Sequence, residues 1–272
     1  MLVKNHWPFA VLTVFTCVAG LFAEEPPTST TSSADAERSM ESVEHAILER
    51  WGSWKSLTAD ITMDVDVFRG PYHTVNTSIG EIRYLRKDDK QLFRMDLYSD
   101  QKHSMDGKEM MTNVESITRI ADGTFFYTLT DSQGQRAAIK ENLTPMHVAI
   151  DSRAVFERLH RVNELRLLPD EEIDGEKVYV VEAMPKRAGR GGPRKTVRYF
   201  SQSNGVMLKR IAYNAEGVAT STLQLSKLKL NPEVDPKVFE FELPEGVNLT
   251  DRSTGATPLE VSPAEGSEPA DD

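Results

Sequence analysis

The stretch ADITMDVDVF, Ala59–Phe68, constrains the fold more than any other part of this chain. Ile61, Met63, Val65 and Val67 alternate with Asp60, Thr62, Asp64 and Asp66. Successive side chains of a strand leave opposite faces, so one face here is buried and the other is wet. Similar strand patterns recur at 80–86, 91–98, 109–120, 124–130 and 136–140, and again at 166–172, 177–184, 196–201, 206–214 and 219–230. Short groups such as KDD, MDGK, ADG, SQGQ, IDGE, SQSNG and NAEG separate them, and Asp-Gly between strands is a hairpin signal. The pattern predicts an antiparallel meander. A closing strand is expected over Phe239–Leu243, where Phe239 and Phe241 alternate with Glu240 and Glu242 between Asp235-Pro236 and Pro244-Glu245-Gly246.

Two stretches change period. Over 36–57, Met40, Val43, Ile47, Trp51, Trp54 and Leu57 recur at three- and four-residue steps, with Asp35 as the expected N-cap. Over 152–165, Val155, Phe156, Leu159 and Val162 form a second stripe. Helices of this length are marginal alone in water, so both stripes are expected to pack on the sheet. The fold class is α+β, mainly antiparallel β.

The ends of the chain differ from its middle. MLVKNHWPFAVLTVFTCVAGLFA has a basic Lys4, an apolar run from Phe9 to Phe22 and a small Ala23 before Glu24 and Glu25, the build of a secretory signal. The run falls short of the roughly 20 residues that span a bilayer. The expected organisation is a signal over 1–23 cleaved near Ala23, a flexible linker over 24–35, one folded domain over 36–251 and a disordered acidic tail over 252–272. Cys17, the only cysteine, lies in the signal, so the exported protein is expected to have no disulfide and no thiolate. A net charge of −10 argues against nucleic acid as a partner, because phosphate binding requires clustered positive charge.

Motifs for chemistry are scarce. The histidines, His6, His45, His73, His103, His147 and His160, form no HExxH pair, and no P-loop, G-x-G-x-x-G or G-x-S-x-G is present. The carboxylates at Asp64/Asp66, Asp88/Asp89 and Asp170–Glu172 read as the wet faces of strands and turns. The expectation is a protein that is not an enzyme and that uses no metal or cofactor. The basic loop PKRAGRGGPRK, Pro185–Lys195, reads as a solvated connection or as a docking patch for an anionic partner or lipid headgroup.

Taken in order, the amphipathic helix, the long meander, the segment IADGTFFYTLTD (Ile120–Asp131) and the closing D-P-x-x-F-x-F-x-x-P-x-G-V (Asp235–Val247) resemble the LolA/LolB-type lipoprotein carriers over about 38–251. The resemblance implies a curved, incomplete β-barrel, a half-barrel covered by amphipathic helices. It implies a cavity for the acyl chains of lipoproteins or other lipids, and transport across the periplasm toward the outer membrane. The expected partners are that cargo and membrane-associated donor and acceptor proteins, with the carrier a monomer. The same fold also serves periplasmic sensors, so the alternative is a sensor or scaffold that binds another envelope protein. Candidate cavity residues are Trp51, Trp54, Ile61, Met63, Val65, Phe93, Met95, Phe126, Phe156 and Leu159, each of which also suits ordinary core packing.

Overall fold

The computed structural model describes residues 38–144, 147, 152–187 and 192–253. The expected signal, its linker and nearly all of the acidic tail therefore lie outside the described residues, as does Asp35. Helix α1 spans Met40–Gly52 and α2 spans Ser152–Val162. The first meander runs through β1 (Ser56–Arg69), β2 (Tyr72–Lys87), β3 (Lys90–Met105), β4 (Lys108–Ala121), β5 (Phe125–Ser132) and β6 (Gln135–Asn142). The second runs through β7 (Asn163–Ile173), β8 (Glu176–Pro185), β9 (Lys195–Ser201), β10 (Met207–Tyr213) and β11 (Ala219–Leu230), and β12 (Leu249–Asp251) follows.

Among the described residues the twelve strands belong to one sheet in the order β12-β6-β5-β4-β3-β2-β1-β11-β10-β9-β8-β7. Every neighbouring pair is antiparallel except β12 with β6. The two meanders meet only along β1 and β11, where Ile61 faces Leu225 and Met63 faces Leu223. Three hairpins turn on Asp106-Gly107, Gln133-Gly134 and Asp174-Gly175 with positive φ at both residues. That is the type I′ geometry whose twist matches paired strands, and Gly with Asp tolerates it best.

Although consecutive in the chain, β6 and β7 stand toward opposite ends of the sheet, and α2 leads directly into β7. Leu143 packs with the sheet core, while Phe156 and Leu159 pack on Tyr179, Val181 and Phe200 of β8 and β9. Val43 and Ile47 of α1 join this second cluster. We call the face that α2 packs on, which carries Ile61 and Met63, the inner face.

Both helices are shorter than the periodicity predicts. α1 starts at Met40 because Ser39 caps it, its hydroxyl accepting the Ser42 N–H at 3.1 Å. It stops at Gly52, with Ser53 hydrogen-bonding back to the Arg50 carbonyl, so Trp54 falls in the connection and Leu57 in β1. Leu165, read as helical, is in β7. Trp54 still packs with the helix end: its ring lies 4.3 Å from Trp51 and 5.6 Å from Tyr84, and its Nε1 donates to the Asn204 carbonyl at 3.0 Å. Gly205 beside it has φ +73°, and a Cβ there would stand 2.3 Å from the Ile47 carbonyl oxygen. The β9–β10 turn touches α1 backbone to backbone, which only glycine permits.

The closing strand expected at Phe239–Leu243 does not form. Pro236–Phe239 is a single 3-10 turn, capped by Asp235, whose carboxylate accepts the Lys237 N–H at 3.0 Å. Proline at the first position of a turn has its φ already set and needs no hydrogen bond, which favours the turn over a ladder. The segment instead straps the outer face. Arg94 Nη1 donates to the Val238 carbonyl at 3.1 Å, Phe239 is 1% exposed, and Phe241 stacks on Tyr127 of β5 at 4.5 Å. Arg94 is held in turn by Asp96, at 2.8 and 3.0 Å, and Thr118 donates to the same carboxylate at 2.9 Å.

Candidate functional site

The inner face holds a cavity of about 450 Å3 lined by Ile61 and Met63 of β1, Ile82 of β2, Phe93 and Met95 of β3, Phe126 of β5, and Leu223 and Leu225 of β11. Register explains the assembly. Ile82 stands opposite Met95, Phe93 opposite Ala121, Ala121 opposite Phe126, and Ile61 and Met63 opposite Leu225 and Leu223, so alternate positions of successive strands share one face. The sheet must also bend. The lining reaches from Arg210 on β10 to Glu141 on β6, seven strand spacings apart in the sheet order. Laid flat at roughly 4.8 Å per strand, those two would stand about 34 Å apart. A space this small can border both only if the sheet curls around it.

Polar groups sit at the two ends of this apolar wall. At one end are Arg119, Thr128, Glu141 and His147. The His147 ring stacks on Phe126 at 4.2 Å and its Nδ1 accepts the Thr144 N–H at 3.1 Å. Burial lowers the His147 pKa; Glu141 opposes the shift and Arg119 adds to it, so the ring is neutral at neutral pH. At the other end is Arg210. Met207, Arg210 and Leu223 also line a second space of about 350 Å3 between α2 and β8–β10, which includes Val155, Arg158 and Leu159 of α2 and Arg198 of β9. The two spaces adjoin at Arg210. Burial draws the Arg198 pKa down to about 10, and Arg210 and Arg158 add to the effect; burial and Arg158 likewise lower Arg210. Guanidinium groups are strong enough bases that both remain cationic at neutral pH.

Of the ten residues picked from the sequence, the structure brings Ile61, Met63, Phe93, Met95 and Phe126 together around the larger cavity, and Leu159 lines the smaller one. It places Trp51, Trp54 and Phe156 in packed core, where Phe156 stacks on Phe200 at 5.1 Å and the tryptophans close on Tyr84. Val65 lines a separate space with Val67, Tyr72 and Thr74, farther along β1, where its pairing with β11 ends. Sequence reasoning missed Arg119, Glu141, Arg198 and Arg210. Each is a charged residue on the inward side of a strand, where a charge alone reads as a wet position and only the pairing of strands shows which way it faces. Among the described residues no group of three His, Cys, Asp or Glu is placed to hold a metal ion, and no helix is long and apolar enough to cross a membrane.

Outside the cavity, the ends of two hairpins carry exposed apolar side chains: Phe68 at the end of β1, Tyr72 at the start of β2, and Met110 and Met111 near the start of β4, with Phe68 70% exposed. Ladder pairing of β4 with β5 begins only at Glu115, so these ends project past their neighbours.

No family model matches the sequence, and no curated protein matches it. Solved structures similar in fold include an uncharacterized conserved protein from Thermus thermophilus, 10% identical over 77% of this chain and 99% of that one, with a TM-score of 0.49. MucB in the Pseudomonas aeruginosa MucA/MucB complex is 13% identical over 73% of this chain, which spans 59% of the MucB chain, with a TM-score of 0.44. A LolA superfamily protein from Nitrosomonas europaea is 17% identical over 73% of this chain and 97% of that one, with a TM-score of 0.24.

Proposed function

We propose that this protein is an exported carrier that holds an acyl chain of a lipid or lipoprotein in the larger cavity and moves it through the periplasm toward the outer membrane, without catalysing a reaction. The observation that supports this is the curled, aliphatic and aromatic wall around about 450 Å3, a volume within the roughly 300–1,000 Å3 of small-molecule sites. Each buried methylene contributes about 0.8 kcal/mol, so ten of them contribute about 8 kcal/mol. Association itself costs about 4 kcal/mol or more, which leaves a net affinity suited to reversible loading from a donor and release to an acceptor. Native mass spectrometry of protein purified from the periplasm is expected to find an acylated ligand, and a fluorescent fatty acid is expected to enter the emptied protein. Met63→Trp, which fills the space from a half-buried position, is expected to block that uptake in a protein that remains folded. Finding neither ligand nor uptake removes the proposal.

A second reading, a sensor or scaffold that binds another envelope protein, is favoured by the projecting tips with Phe68, Tyr72, Met110 and Met111. Large apolar side chains clustered at an exposed end are a common mark of an interaction surface. Under this reading Phe68→Ser with Met110→Ser loses a captured protein partner while fatty acid uptake is unchanged.

A further inference from the structure

Arg198 and Arg210 are direct partners across β9 and β10, so their guanidinium groups leave the same face side by side. Like charges in that position oppose folding, and sheets ordinarily avoid it. Arg158 of α2 lines the same space from above and is close enough to lower the pKa of both. Among the described residues, neither Arg198 nor Arg210 takes part in an ion pair; the buried carboxylate of Glu182 stands opposite Val197, on the other face of the sheet, and is held by Arg166 at 2.8 Å and Lys195 at 3.3 Å. The Nε of Arg210 is buried and has no hydrogen-bond partner. A buried donor without an acceptor is costly, so one that persists calls for a partner such as a water, an ion or a ligand. These cations border an aliphatic pouch, and Arg210 belongs to both spaces.

An apolar pouch with a cationic neck matches a molecule with a hydrocarbon tail and an anionic head. We propose that Arg158, Arg198 and Arg210 bind the anionic headgroup, a carboxylate or a phosphate monoester, of a single-chain amphiphile whose tail lies in the larger cavity. Guanidinium forks pair with the oxygens of either head in two-pronged fashion, and the partner relieves the repulsion between the arginines. The volume of about 450 Å3 favours one chain over several. This rests on the acyl-binding reading above and narrows it to charged ligands.

The test uses three ligands with the same tail: palmitate, hexadecyl phosphate and hexadecanol, each titrated by displacement of a fluorescent fatty acid from the folded protein. At least one anion is expected to bind roughly tenfold or more tightly than the alcohol, with affinity that falls as salt rises; which anion is tighter tells carboxylate from phosphate. Arg198→Gln with Arg210→Gln is expected to abolish that preference while hexadecanol still displaces the probe, and a native-like circular dichroism spectrum shows that the variant is folded. Equal affinity for all three ligands overturns the headgroup assignment and leaves the acyl-binding reading standing. No binding of any of them sinks both. Inorganic phosphate alone binding as tightly as hexadecyl phosphate overturns the amphiphile in favour of a free-anion site.

Discussion

Single residues hold this fold at places where no substitute fits. Gly205 is one, because its left-handed backbone and its closeness to the Ile47 carbonyl exclude a side chain. Gly205→Ala is expected to cost about 2 to 3 kcal/mol, read as a lower urea midpoint with an unchanged slope. Asp96 is another. Burial raises its carboxyl, but hydrogen bonds from Arg94 and Thr118 and the charges of Arg94 and Arg83 outweigh that and hold its pKa below the ordinary 3.8. A depressed folded pKa gives stability that is complete above the unfolded value and is lost as pH falls through the folded one. Asp96→Asn is therefore expected to cost about 1 to 2 kcal/mol at neutral pH, discounted for partial exposure. The gap to the native protein should narrow as pH drops below about 4, checked by urea titrations at both pH values.

Among the elements, legibility followed water. The inner halves of β1–β5 read correctly because one face is wet and one is dry, and Ile61, Met63, Phe93, Met95 and Phe126 followed from that. The outer halves of β2 and β3, around Thr74–Ser78 and Ser99–His103, did not, since both of their faces meet solvent or small polar groups and the sequence does not alternate there. The closing segment misled for the opposite reason. FEFEL alternates as a strand does, yet the local preference of Asp235-Pro236 for a capped turn won, and Phe239 became a plug against β3. Phe239→Ala is expected to destabilise by about 3 to 4 kcal/mol, measured by chemical denaturation, as for other fully buried phenylalanines. The arginines of the neck were invisible because only pairing across β9 and β10 shows that they share a face.

At the scale of the whole molecule, curvature makes the cavity, and a cavity that binds a ligand stabilises the state that has it. At a ligand concentration a hundredfold above Kd, the gain is about 2.7 kcal/mol. For a domain of this size that corresponds to a rise in Tm of roughly 5 to 10 °C. Scanning calorimetry is expected to show this rise in the native protein with a bound amphiphile and none in Met63→Trp, whose own Tm should be close to that of the empty native protein.

The seam between β1 and β11 joins residues more than 150 positions apart, and contacts so distant in sequence are the slow ones to find. Each meander can zip locally as it leaves the ribosome, six strands before α2 and five after it. Neither alone encloses anything, because Phe126 and Ile61 come from one and Leu223 and Arg210 from the other. The pouch is born when that single zip closes, so an occupied pouch certifies that the two meanders have joined, and a greasy guest captured earlier would have to be held by something else.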